Sequence, residues 1–146
     1  MRVFLSYAAG DDELARRIAQ GLQREGFEVW WDEIILPGDN WADEVAHALK
    51  NSQAMVVLLT PAGLQSKWVQ REIEFALVNE SFRRRLIPVL VGDERHISLE
   101  AIPWILRRLP MVRLSGASEV EAKVSEIARA LSAEADSGVA GARVEK

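Results

Sequence analysis

The run Ala54-Met55-Val56-Val57-Leu58-Leu59 carries no polar residue, so neither face of the strand it forms can be left to water. A strand buried on both faces needs one helical layer above it and another below. That confines the chain to a parallel α/β architecture. The flanking sequence supplies the helices. Val3–Tyr7 is a short strand ended by Ala8-Ala9-Gly10, and Asp11 and Asp12 stand where a helix cap belongs, ahead of Leu14, Ile18 and Leu22. Gly26 suits the left-handed position past that helix, and Phe27–Trp31 forms a second strand. Trp41, Val45 and Leu49 mark the next helix. After the third strand, Thr60–Gly63 is a turn, and Ser66 caps a helix carrying Val69, Ile73, Ala76 and Leu77. Arg85–Val91 is the fourth strand, and its Pro88, which cannot donate to a ladder, argues for an edge or a bulge. An irregular helix is expected around Trp104–Leu109, a fifth strand at Met111–Leu114, and a last helix on Val120, Val124, Ile127 and Leu131.

This alternation predicts a flavodoxin-like three-layer sandwich. Its five-stranded parallel sheet has the order 2-1-3-4-5, with helices on both faces. The domain spans residues 1–134. Residues 135–146, rich in Ala, Gly, Ser and charges without periodicity, suit a flexible tail or the start of an interdomain linker. In open sheets of this kind ligands bind beyond the carboxyl ends of the strands. Those ends are Tyr7–Asp11, Asp32–Trp41, Thr60–Lys67 and Gly92–His96.

Composition removes several chemistries from those ends. The chain has no cysteine, which excludes disulfides, thiolate zinc sites and cysteine nucleophiles. Its two histidines, His47 and His96, are not at ligand spacing, so no metal is expected. With 18 Lys+Arg against 22 Asp+Glu, the net charge of −4 leaves no basic surface for direct nucleic-acid binding. No apolar run approaches the ~18 residues of a membrane span. Met1 is followed at once by a strand rather than a secretory signal, so the expected location is cytoplasmic, away from membranes. No G-x-G-x-x-G, P-loop or G-x-S-x-G elbow occurs. A phosphoreceiver would need an acidic residue after strand three, where Thr60-Pro61 stands, and a lysine near strand five.

Three fragments remain. Phe4-Leu5-Ser6-Tyr7 enters the loop Ala8–Asp12; alone, it reads first as a strand before a capped helix. In Asp32–Trp41, the residues Ile34, Ile35 and Leu36 are unusual for a connection and suit a pocket cover or a partner surface. In Lys67–Glu74, taking Ile73 as the core direction, Glu72 lies about 100° to one side and Glu74 about 100° to the other, so periodicity cannot choose between them. Trp68, one turn before Glu72 on the same flank, favours Glu72. An indole wall there can raise a carboxyl pKa and stack on a flat ligand. Taken alone, the fragment reads first as a surface glutamate beside a half-buried tryptophan.

In this order the fragments resemble a TIR (Toll/interleukin-1 receptor/resistance) domain over residues 1–133. Phe4–Tyr7 is similar to the family's first box. Asp32 through Leu36-Pro37-Gly38 to Trp41 is similar to its second box and BB loop, and Trp68-Val69-x-x-Glu72-Ile73 to its tryptophan/glutamate motif. The resemblance implies an NAD⁺ hydrolase or cyclase of a bacterial defence or effector protein, cleaving the nicotinamide–ribose bond. Glu72 would be the catalytic carboxylate. Ser6, Tyr7, Ala8, Asp32, Leu36, Trp41 and Trp68 would bind substrate, while Ile34, Ile35, Leu36, Pro37 and Gly38 would form the self-associating BB loop. NAD⁺ is then substrate and no cofactor is needed, and a fused or associated sensor domain would drive assembly. Two departures stand out: Ala8-Ala9-Gly10 replaces a cation common after the first box, and Ile35 a BB-loop lysine. The runner-up is a non-enzymatic TIR–TIR interaction module; a third reading is a nucleoside-processing relative.

Overall fold

In the computed structural model of the chain, five strands pair in parallel: β1 (Arg2–Ser6), β2 (Glu28–Trp30), β3 (Ala54–Leu59), β4 (Leu86–Val91) and β5 (Val112–Leu114). Their order across the sheet is β2-β1-β3-β4-β5. The helices are α1 (Asp12–Arg24), α2 (Trp41–Asn51), α3 (Pro61–Gln65), α4 (Lys67–Val78) and α5 (Val120–Val144), with short 3-10 turns at Leu99–Ala101, Leu106–Arg108 and Ala117–Glu119. The structure describes residues 1–31, 41–79, 82, 85–92, 97 and 99–144; at 41, 42, 99, 117 and 133–144 it describes the backbone alone.

All six residues of β3 are buried, and the strand lies between β1 and β4. Its alternating side chains feed two cores. Val56 and Leu58 join Val3, Leu5 and Tyr7 beneath α1 and α5, where Ile18, Leu22, Val124 and Leu131 meet them. Met55, Val57 and Leu59 join Phe4 and Ala8 on the opposite face, beneath Val45 and Leu49 of α2 and Val69 and Ile73 of α4. Each fully buried aliphatic side chain contributes roughly 1.5–3 kcal/mol relative to exposure. Ile102 and Leu106, between β4 and β5, complete the second layer. The stripe Val120, Val124, Ile127, Leu131 holds α5 against the first. Gly26 adopts φ +100° just past α1, as its place in the sequence requires. Among the described residues no helix is long and apolar enough to cross a membrane.

Three local expectations are corrected. Pro88 occupies a central strand, paired in register with Val57 of β3. The β4–β5 ladder starts only at Val89, so on that side Pro88 has no ladder bond to donate. Thr60–Gly63 is not a simple turn: Thr60 is the N-cap of the short helix α3, with Pro61 in its first turn. Around Trp104–Leu109 the only helical element is the three-residue 3-10 turn at Leu106–Arg108, with Leu106 fully buried.

The two helices of the first layer are tied at their surface by Arg17, whose guanidinium donates to the Glu121 carboxylate at 2.7 Å. That hydrogen bond, with the adjacent positive charge, holds the Glu121 pKa below its ordinary 4.5. Because the folded-state value is the lower one, the contribution is fully present above the ordinary glutamate range and lost as pH falls through the depressed value. The pair is exposed, so the effect is small. The urea midpoint of Glu121→Gln should fall slightly below wild type at pH 7, and the two should converge in acid below the glutamate range.

Candidate active site

The reversal of the chain's direction across the sheet sets where a site can form. β1 leads to α1 on one face, whereas β3 leads through α3 to α4 on the other. The carboxyl ends of β1 and β3 are neighbours, in register from Val3 opposite Ala54 to Ser6 opposite Val57. Their connections diverge, leaving the crevice at which open α/β sheets bind ligands.

Three polar side chains are buried around this point: Thr60, just past the end of β3, and the pair Ser6 and Glu72. Ser6, the last residue of β1, is 1% exposed and Glu72 on α4 is 4% exposed. The Ser6 hydroxyl donates to Glu72 Oε1 at 2.5 Å, at the short end of the range for O–H···O hydrogen bonds. Helix α4 is set up to deliver this carboxylate. Ser66 caps it, its hydroxyl accepting from the Val69 N–H at 3.1 Å, and its buried residues are Val69, Glu72, Ile73 and Ala76. Glu72 thus lies on the helix's buried stripe, beside Val69, Ile73 and Ala76, and its Oε1 accepts from Ser6. The other glutamate of the fragment, Glu74, is exposed and lines a separate groove of about 230 Å³ with Ile73, Leu77, Ala101 and Pro103. That groove includes neither Ser6 nor Glu72, and its volume is below that usual for a nucleotide-sized ligand.

Strand alternation sorts the remaining residues. Ala8, two residues beyond Ser6, is buried in the Glu72 layer. Tyr7 points the other way and packs in the layer of α1 and α5, so its side chain is not brought to Glu72. Trp68 is half-buried one turn before Glu72. Trp41 opens α2, with only its backbone described. Asp32, Ile34, Ile35, Leu36, Pro37 and Gly38 lie outside the described residues. One contact at the crevice has no counterpart in the sequence reading: the Thr60 hydroxyl donates to Asp11 Oδ2 at 2.6 Å. Both residues follow strand ends, and the sequence marks one as a helix cap and the other as part of a turn, with no sign that they meet.

The sequence profile of the TIR domain matches residues 3–128. The chain belongs to the TIR domain family. Among curated relatives, it is 30% identical over 86 residues to the 2' cyclic ADP-D-ribose synthase BtTIR of Bacteroides thetaiotaomicron, covering 58% of this chain and 30% of that protein. It is 31% identical over 134 residues to the NAD(+) hydrolase TcpA of Theionarchaea archaeon, covering 88% of this chain and 39% of that one. Among solved structures, a metazoan TIR-STING receptor from C. gigas in complex with 2',3'-cGAMP superposes with a TM-score of 0.72 at 28% identity. The match covers 89% of this chain and 39% of the receptor. This TIR domain therefore spans well under half the length of the relatives it matches.

Ser6→Ala in this TIR domain removes a buried hydrogen bond to a carboxylate, worth about 1.5–3 kcal/mol. Chemical denaturation should register a loss of that size. Pairing Ser6→Ala with Glu72→Leu should recover part of it, because an apolar side chain needs no donor there.

Proposed function

We propose that this TIR domain cleaves NAD⁺ between nicotinamide and ribose, with Glu72 as the catalytic carboxylate. The observation that carries the reading is the buried Ser6–Glu72 hydrogen bond at the switch point of the sheet. Relatives named as an NAD(+) hydrolase and a 2' cyclic ADP-D-ribose synthase, at 31% and 30% identity, support the substrate class.

The residues suit the chemistry. As the C1'–N bond breaks, its electron pair leaves with the pyridine nitrogen and nicotinamide departs neutral, so no strong general acid is required. The ribose acquires oxocarbenium character, and a carboxylate fixed beside it stabilises that charge without reorganising. Ser6 holds one oxygen of Glu72 and so sets the orientation of the other. Water then bonds to C1' and gives up a proton, yielding ADP-ribose, or a hydroxyl of the same molecule closes a cyclic isomer. Trp68, beside Glu72 on α4, supplies an apolar wall for a flat ring.

Self-association is the second element of the proposal. Glu72 is only 4% exposed, so admitting a ribose requires the crevice to open. Contacts between copies, through the apolar Ile34-Ile35-Leu36 segment, would favour the open form. The lone domain is then a weak enzyme.

The test is NAD⁺ consumption by the concentrated wild-type domain beside Glu72→Ala, with products identified by mass spectrometry. Glu72→Ala should lose at least about a hundredfold in turnover, on the scale of removing one preorganised electrostatic group. Equal turnover by both proteins overturns the mechanism. Turnover per molecule should also rise with protein concentration over a hundredfold range; a flat profile removes the self-association element and leaves the chemistry standing.

A further inference from the structure

We propose that Thr60 is a positioning residue for the Glu72 chemistry, holding the loop after β1 against the end of β3. The inference rests on the NAD⁺-cleaving reading for its consequence and on geometry for its existence. At the switch point the connections from β1 and β3 leave toward opposite layers, and no covalent link joins them. The Thr60 hydroxyl spans the gap on the side of the β1–α1 loop. Thr60 Oγ1 donates to Asp11 Oδ2 at 2.6 Å and accepts the Gly63 N–H at 2.9 Å. With the Gly63 amide on its lone pair, the hydroxyl's one proton is directed at Asp11.

Both ends of this link are anchored. Gly63 lies so near the end of β3 that a Cβ there would stand 2.4 Å from the Leu58 carbonyl oxygen, which fixes α3 and Thr60 against the strand. On the other side, Asp11 is the N-cap of α1, yet its side chain makes no capping bond to that helix. The carboxylate is turned to Thr60 instead, in place of the ordinary preference of an N-cap aspartate. The loop itself is closed by the Asp11 N–H donating to the Ala8 carbonyl at 3.1 Å, with Gly10 at φ +102° inside the turn. Residues 8–11 therefore move with Asp11. Ala8, at one end of that turn, is buried in the Glu72 layer and is two residues from Ser6.

The site thus has two rungs between the end of β1 and the β3–α4 connection: Ser6 to Glu72, and Asp11 to Thr60. The first touches the reacting centre and the second sets the distance between the walls. Releasing the second lets the loop carrying Ala8 drift, and small displacements of a preorganised site cost rate more than affinity.

NAD⁺ turnover and amide hydrogen exchange would be measured for wild type, Thr60→Val, Thr60→Ser, Asp11→Ala, the Thr60→Val/Asp11→Ala double variant and Glu72→Ala. Thr60→Val keeps the shape without the hydroxyl, and its kcat should fall about tenfold while KM changes less than about twofold. Thr60→Ser restores the hydroxyl and should restore kcat. The double variant should be no slower than the slower single one, because the two residues act through one bond. Exchange over residues 8–14 should quicken in Thr60→Val but not in Thr60→Ser. Full kcat in Thr60→Val, a Thr60→Ser as slow as Thr60→Val, multiplying losses in the double variant, or unchanged exchange would each overturn the inference. Failure of the NAD⁺-cleaving reading is separately visible as no turnover by wild type, and failure of the Glu72 mechanism as full turnover in Glu72→Ala; in either case the exchange result still decides whether Thr60 holds the loop.

Discussion

Burial of β3 on both faces is the constraint from which the architecture follows. Its six apolar residues give one core Val56 and Leu58 and the other Met55, Val57 and Leu59, so each helical layer is built against the same strand. With β3 central, the chain must place β1 and β4 on either side of it and route its crossovers over opposite faces. The crevice between β1 and β3 is a product of that routing. No residue in the crevice need encode it; the apolar run in the middle of the chain does.

Placing a carboxylate in such a core is expensive, and the surroundings show how the cost is contained. Glu72 sits among Val69, Ile73 and Ala76 on the buried stripe of α4, where an unpaired charge would be strongly destabilising. Ser6 meets it because period-two alternation turns residues 4, 6 and 8 toward α2 and α4. The same alternation sends Tyr7 to the opposite layer. Which layer a side chain joins at this strand end is thus decided by whether its number is odd or even.

Much of the fold was legible because each core position obeys a simple period. The apolar run at Ala54–Leu59 coincides with β3, and the four-residue spacing of Leu14, Ile18 and Leu22 with α1. Pro88 misled because a missing donor matters only where a ladder is present, and β5 is too short to reach it. The choice between Glu72 and Glu74 was not available from periodicity, since both flank Ile73; a neighbouring tryptophan pointed to the one that the fold buries. Asp11 and Thr60 were visible only as a helix cap and a turn. Their hydrogen bond joins residues 49 apart, and local pattern carries no information at that range.

The distance in sequence between Ser6 and Glu72, 66 residues, also bears on when the site can exist. Both halves of the pair come from elements that meet only after β3 has docked beside β1 and α4 has folded back across it. During synthesis, at about 5–20 residues per second, the amino-terminal strand and its helix wait several seconds for their counterpart. A nascent chain or fragment that ends before Glu72 lacks the pair altogether. The pair is therefore a late product of the chain's own order: it dates from the docking of α4 over β1 and β3, not from the folding of either partner's element.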